Sequence, residues 1–464
     1  MENKMASQVE KIKVYVSTVP GLEFLCVSDC EEVFQTRAKK EGRGRVSFES
    51  DVQQLDKLCN LRSVHHYWVE VFQTSSAWGD ACCKEDILKA LEIFTDSLDW
   101  EKSLRAFNHF KNKTHRPSEW KIIEPKRSNG EDAPPQSEVK FRVTCSRNGK
   151  HCFTSMEAAK YIGSGVKSYF NWQVDLEDFD IEILAFINEM EVTIAIKISS
   201  ESKHNRNVSF FGPTTLRATT SYCLLKLAGT KRGDIICDPM CGTASICLEG
   251  VNSFPFSFHL GGEIHPDGCH NAANNIDYFC KVKAETNGSM TLPCNINVIA
   301  GDIICDPMCG TASICLEGVN SFPFSFHLGG EIHPDGCHNA ANNIDYFCKV
   351  KAETNGSMTL PCNIIQWNAC HLPLRDGLVD AIVSDLPFGK RIGYRGQNFA
   401  LYPALLKEFG RVCRPKGKAV LLTQHKSAMN KSLLACNHIW KKQSTFFINM
   451  GGLNVAIYVL KKIF

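Results

Sequence analysis

The sequence predicts an α+β region followed by an α/β domain, whose parallel sheet is wound on both faces and closes on an antiparallel hairpin. Three observations carry this. From Lys13 to Thr74 the pattern runs strand, helix, strand, helix, strand. After Ser202, short apolar runs alternate with helical segments, as expected for strands buried on both faces of a parallel sheet. The last two apolar runs, "STFFINM" and "NVAIYVLKK", have no helix between them, so they should pair antiparallel.

The elements follow in order. "KVYVSTV" (13–19) alternates as a strand does, and "GLEFLCVSDCEEVF" (21–34) spaces its apolar residues as a helix does. "GRVSFES" (44–50) reads as a strand after a glycine turn, "VQQLDKLCNLRSV" (52–64) as a helix and "HHYWVEVFQT" (65–74) as a strand. This order predicts a ferredoxin-like domain over residues 12–111. Residues 112–137 are polar, charged and proline-bearing, which predicts a flexible linker poor in core material. A second α+β unit is expected over 138–202. It would hold a strand (140–147), a helix (155–170) with Ser155 as N-cap and Glu157 in its first turn, and a strand pair (180–198) turning at "NEM". Residues 203–464 would form the α/β domain. Its helices are expected at 213–229, 399–414 and 426–436, and its strands include "IIQWNA" (364–369), "DAIVSDLP" (380–387) and "GKAVLLTQ" (417–424).

The chain has 464 residues, 44% hydrophobic and 22% charged, as in ordinary globular domains. A net charge of +2 argues neither for nor against a nucleic-acid partner. The polar start "MENKMASQVEKIKVYV" lacks a signal-peptide core, and no apolar run reaches membrane-spanning length. A cytoplasmic protein with no membrane partner and reduced cysteines is therefore expected. Among 23 cysteines there is no C-x-x-C pair, so no metal site is predicted.

Residues 233–296 recur without one substitution as residues 301–364. Two segments under separate packing demands would drift, so the duplication is recent or one exon is represented twice. The repeated unit supplies a first and a second strand of the α/β domain with their helices. The downstream "QWNAC" and "DLPFG" occur once, so only one complete site can be assembled. The first copy follows its natural leader helix and is favoured as the one in use. A 68-residue insertion is better tolerated at the polar loop 283–295 than at a tight join.

Within each copy, "DIICDPMCGTA" reads as strand, tight turn and helix start, a place where free N–H groups meet a ligand. "HLGGE" ends the next strand in an acid, Glu263 or Glu331, where a doubly wound sheet holds ribose hydroxyls. "VSDLPFGKR" (383–391) ends a strand in Asp385, followed by Leu386, Pro387 and Phe388. It resembles the D/N-P-P-Y/F motif of methyltransferases acting on exocyclic amines. An arylamine lone pair is delocalised into its ring. A carboxylate and a backbone carbonyl that hold its N–H groups free that pair, while the aromatic ring stacks on the base. Lys390, Arg391 and Arg395 follow and suit phosphate contacts; Lys203, His204 and Arg206 invite the same reading.

Together "DPMCGT", "DLPFGKR" and the leader "FGPTTLRAT" (211–219) resemble the THUMP-domain guanine-N2 tRNA methyltransferases over nearly the whole chain. That resemblance implies a ferredoxin-like domain and a THUMP domain (138–202) that grips the tRNA acceptor end. It also implies a Rossmann-like methyltransferase domain using S-adenosylmethionine, N2-methylguanosine as product, and a small zinc-binding activator subunit as partner. By the same resemblance, Asp238, Cys241, Gly242 and Thr243 would line the donor's methionine end, or else Asp306, Cys309, Gly310 and Thr311. Glu263 or Glu331 would hold the ribose, Asn368 the adenine, and Asp385, Pro387 and Phe388 the guanine. The family places a second glycine where this chain has Ala244 or Ala312, and an acid where it has Asn368. The rival readings are a tRNA-binding protein with an impaired methyltransferase domain, and an amino-group methyltransferase acting on another RNA base.

Overall fold

The computed structural model describes residues 10–124, 139–199, 202, 206–212, 215–254, 257–264, 266–287, 295–297, 303–306, 326–329, 363–366, 368–388, 395–450 and 452–464. The chain divides into two compact units, Met1–Ser202 and Lys203–Phe464.

The first unit contains β1 (Lys11–Thr18), α1 (Glu23–Phe34), β2 (Ala38–Lys40), β3 (Arg45–Asp51), β4 (Val64–Thr74), α2 (Lys84–Asp96), α3 (Glu101–Thr114), β5 (Lys140–Asn148), α4 (Ser155–Phe170), β6 (Gln173–Val174), β7 (Ile181–Asn188) and β8 (Glu191–Lys197). The segments read from sequence as two domains share one eight-stranded sheet, ordered β2-β3-β1-β4-β8-β7-β5-β6. The join is the antiparallel β4–β8 pair, with Val69 opposite Ile196. One apolar core runs beneath both halves, from Val14 and Leu104 to Phe141 and Ile183.

Local differences from the sequence reading have physical causes. Residues Val52–Asn60 form a 3-10 helix, because the buried Val52, Leu55 and Leu58 recur every three residues, matching three residues per turn. α4 is capped one residue earlier than expected: Glu157 N–H donates to Thr154 Oγ1 at 3.2 Å, and Thr154 N–H donates to Glu157 Oε2 at 2.8 Å. The expected linker starts late. α3 continues to Thr114, and Ile123 is fully buried. Asn108 of α3 clasps the Ile123 backbone on both sides, at 2.7 and 3.0 Å.

The second unit contains α5 (Ala218–Ala228), β9 (Ile235–Asp238), α6 (Ser245–Ser253), β10 (Phe258–Glu263), α7 (Pro266–Asn287), β11 (Asn295–Asn297), β12 (Ile303–Asp306), β13 (Phe326–Gly329), β14 (Asn363–Gln366), β15 (Val379–Asp385), α8 (Asn398–Val412), β16 (Cys413–Thr423), α9 (Lys426–Ala435), β17 (Trp440–Met450) and β18 (Leu453–Lys462). The main sheet runs β11-β10-β9-β15-β16-β18-β17, with β14 also on β10. β10, β9, β15 and β16 are mutually parallel, and β17 and β18 form the expected antiparallel hairpin. β9 lies between β10 and the much later β15. The strand order reverses there, which opens a crevice at the carboxyl ends.

The first copy of the repeat supplies β9 and β10 to this sheet. The second copy's β12 and β13 pair in the equivalent register, Ile303 opposite Phe326 as Ile235 is opposite Phe258, but as a separate two-stranded sheet. The identical tails of the two copies dock side by side on one strand. Asn295–Ile296 pair with Phe258–His259, and Asn363–Ile364 with Leu260–Gly261. The second copy is thus an excursion that leaves and rejoins the edge of β10.

Candidate active site

Three adjacent parallel strands end in acids: β10 in Glu263, β9 in Asp238 and β15 in Asp385. The turn after β9 is tied to β10. Cys241 N–H donates to the Gly262 carbonyl at 2.8 Å, and Gly242 N–H donates to Glu263 Oε2 at 3.0 Å. Glu263 Oε1 accepts from Ile264 N–H at 2.9 Å. Gly242 stands at φ 52°, and a Cβ there would meet no atom within 4 Å. The turn therefore presents open space at the start of α6, where helix N–H groups lack internal partners.

Ala244, the residue before α6, is fully buried at φ 64°. Left-handed backbone favours glycine, which accounts for the glycine that the family resemblance implies there. Thr243 Oγ1 lies 3.1 Å from Ser245 Oγ and donates to Thr215 Oγ1 at 3.3 Å. Asp238 is buried, and that burial pushes its carboxyl up to about 7; its Oδ1 accepts from Met240 N–H at 3.3 Å.

The end of β15 differs in kind. Asp385 is half-buried as a residue, but its Oδ1 is out of solvent with no hydrogen-bond partner among the described residues. Burial, reinforced by the charge of Asp238, raises its carboxyl well above the usual range. A buried acceptor without a donor is costly, so this oxygen needs a donor that the described residues do not supply. The following Pro387 is fixed through its carbonyl, which accepts from Tyr402 Oη at 2.7 Å and Asn398 Nδ2 at 2.9 Å. Tyr402 is fully buried and also bonds Thr423 Oγ1 at 2.7 Å. Phe388 is half-buried beyond it.

Asn368 follows β14. Its Oδ1 accepts from Cys370 N–H at 2.9 Å, and the residue is exposed. Lys390 and Arg391 lie outside the described residues, and Arg395 starts a one-turn 3-10 helix. Lys203 and His204 also lie outside them. Arg206 corrects its reading: its guanidinium is committed to the fully buried Glu249, at 2.7 and 3.1 Å, so it is a structural ion pair rather than a phosphate contact. Of the second copy's candidates, Asp306 ends β12 in the separate sheet, while Cys309, Gly310, Thr311 and Glu331 lie outside the described residues.

Sequence reasoning missed Asn275, Asn398 and Tyr402. Asn275 on α7 is fully buried. It accepts from the N–H groups of Ser209 and Phe210 at 2.9 and 2.7 Å, and donates to the carbonyls of Phe210 and Thr243 at 2.8 and 3.1 Å. It therefore staples the leader to the turn after β9. Only the "FFGPTT" leader hinted that something must hold it.

No group of three or more His, Cys, Asp and Glu is placed to hold a metal among the described residues, and none of their helices is long and apolar enough to cross a membrane.

The RMKL-like methyltransferase domain family matches residues 206–258 and 332–456, passing over a stretch close to one copy's length. The THUMP domain family matches residues 120–197, reaching back into the segment expected as linker. The human tRNA (guanine(6)-N(2))-methyltransferase THUMP3 is 32% identical over 524 residues, covering 99% of this chain and 90% of the relative. The tRNA (guanine(6)-N2)-methyltransferase of Methanocaldococcus jannaschii is 24% identical, covering 96% of this chain and 99% of its own. Among solved structures, TrmN from Thermus thermophilus shares the fold at TM-score 0.64 and 18% identity, covering 97% of this chain and all of its own. SMU.472, a putative methyltransferase complexed with SAH, does so at TM-score 0.54 and 12% identity, covering 97% of this chain and 98% of its own. By sequence identity over its length and by both domain matches, the chain belongs to the THUMP-domain tRNA guanine-N2 methyltransferases.

Proposed function

We propose that this protein transfers a methyl group from S-adenosylmethionine to N2 of guanine 6 in tRNA. The observation that carries this reading is the unpartnered, buried Asp385 oxygen at the end of β15, one strand from the turn after β9. Position 6 follows from the names of the relatives.

The residues present fit the donor. The open turn at Gly242 suits a ligand's close approach, and the buried Asp238 carboxyl suits a cationic amine that would offset its desolvation. Asp238, Cys241, Gly242 and Thr243 would line the methionine end, Glu263 the ribose and Asn368 the adenine. When bound, the donor supplies an electrophilic methyl on its sulfonium. The chain's own residues do the rest. Asp385 accepts an N–H of the flipped guanine's amine and turns the nitrogen lone pair outward. Tyr402 and Asn398 hold Pro387, and with it the strand end, in place. Phe388 offers a ring for stacking. Positioning supplies most of the acceleration. The THUMP domain would hold the acceptor end, with Lys390, Arg391 and Arg395 on phosphates. A small zinc-binding activator subunit and a cytoplasmic location complete the reading.

The test is incubation of the protein, with its activator, with labelled donor and unmodified tRNA, followed by nucleoside analysis. N2-methylguanosine at position 6, lost about a hundredfold or more in Asp385→Ala, is expected. A methylated adenine as product, or full activity in Asp385→Ala, would refute it.

A further inference from the structure

A second buried acceptor stands beside the first. Gln424 directly follows β16, the strand paired in parallel with β15, where Asp385 lies opposite Leu422. Gln424 is two residues past that Leu422. Side chains alternate along a strand, and Thr423 points to the α8 side, where its Oγ1 meets Tyr402 Oη at 2.7 Å. Gln424 is the first residue past β16, at the same carboxyl-end edge of the sheet as Asp385, the last residue of β15. Its Oε1 is buried with no hydrogen-bond partner among the described residues, as is Asp385 Oδ1. Two orphaned buried acceptors at the carboxyl ends of adjacent strands are costly to the free protein, and a ligand presenting two donors side by side relieves both.

We propose that Gln424 is a specificity-determining residue that reads the Watson–Crick edge of the flipped base, accepting from N1–H of guanine while Asp385 accepts from the 2-amino group. This rests on the function proposed above and deepens it. Guanine offers adjacent N1–H and N2–H donors on that edge. Adenine and 2,6-diaminopurine present a bare acceptor at N1. A site of two acceptors therefore selects guanine, because the wrong base leaves a buried oxygen facing a lone pair.

The experiment compares full-length wild type, Gln424→Ala and Gln424→Glu, each with the activator. The substrates are two tRNAs differing only at the target nucleotide, guanosine or 2,6-diaminopurine riboside, both of which carry a methylatable 2-amino group. Wild type should favour guanosine. Gln424→Ala should lower kcat/KM on guanosine about tenfold or more and on diaminopurine by less than about twofold, collapsing the preference. Gln424→Glu, which keeps an acceptor, should retain guanosine methylation and widen the preference. Calorimetric donor affinity should stay unchanged in both variants. A proportional loss on both substrates, or an unchanged preference in Gln424→Ala, overturns the assignment. Wild type that methylates neither tRNA, while binding donor, instead overturns the function on which the assignment rests.

Discussion

Ala244 carries strain that one substitution removes. A β-carbon at φ 64° costs about 1–2 kcal/mol relative to glycine, and burial prevents the backbone from relaxing. Ala244→Gly should therefore raise the stability of the chain by about 1 kcal/mol in denaturant titration, and tighten donor binding in calorimetry if the methyl crowds the donor. A loss of stability would mean that the turn is not strained. Asp385 makes a second prediction, with its sign fixed by burial. Its carboxyl is raised well above the usual range, and in the proposed mechanism it is the ionised form that holds the amine. Activity at saturating donor should rise with pH through that raised value, and the acid limb should flatten in Asp385→Asn; an identical limb in the variant would assign it to another group. Asp238 and Asp385 could be read from sequence because strand-end acids sit inside local motifs. Asn275, Asn398, Tyr402 and Gln424 could not, because each acquires its role from partners distant in sequence, as Asn275 does from Phe210.

At the scale of elements, hydrophobic spacing predicted most strands and helices, including the β17–β18 hairpin. It failed where spacing and context compete. The three-residue rhythm of Val52, Leu55 and Leu58 looked α-helical and is 3-10. The expected linker gave up Ile123 to the core because Asn108 satisfies its backbone, which no local pattern announces. The single sheet beneath the first two predicted domains was hidden because strand pairing between β4 and β8 is non-local. α6 is anchored through Glu249, buried and bonded by Arg206, Asn207 and Ser253. Glu249→Ala leaves the Arg206 charge largely buried and should cost about 3–5 kcal/mol. Measured by denaturant titration against Arg206→Ala and the double variant, the two losses should be strongly non-additive. Additive losses would mean that the pair is not coupled.

At the scale of the whole molecule, the repeat decides how many sites exist. The α/β order announced the wound sheet, and "DLPFG" occurs once, which leaves room for one proposed acceptor site. The excursion of the second copy from the edge of β10 could not be read, because identical sequences have identical local preferences and only their connections differ. Since both tails dock on the same strand, removal of residues 297–364 joins Ile296 to Ile365 and restores a continuous third strand. The shortened chain should fold with at least the original melting temperature and keep donor binding; loss of either would show that the second copy is part of the domain. The proposed mechanism needs one catalytic centre, built from the first copy's turn and Asp385. The rate of N2-methylguanosine formation in tRNA by Asp238→Asn and Asp306→Asn tests it most directly. A severe loss, about a hundredfold, is expected in Asp238→Asn, and wild-type rates in Asp306→Asn. Loss in Asp306→Asn with activity kept in Asp238→Asn would contradict it.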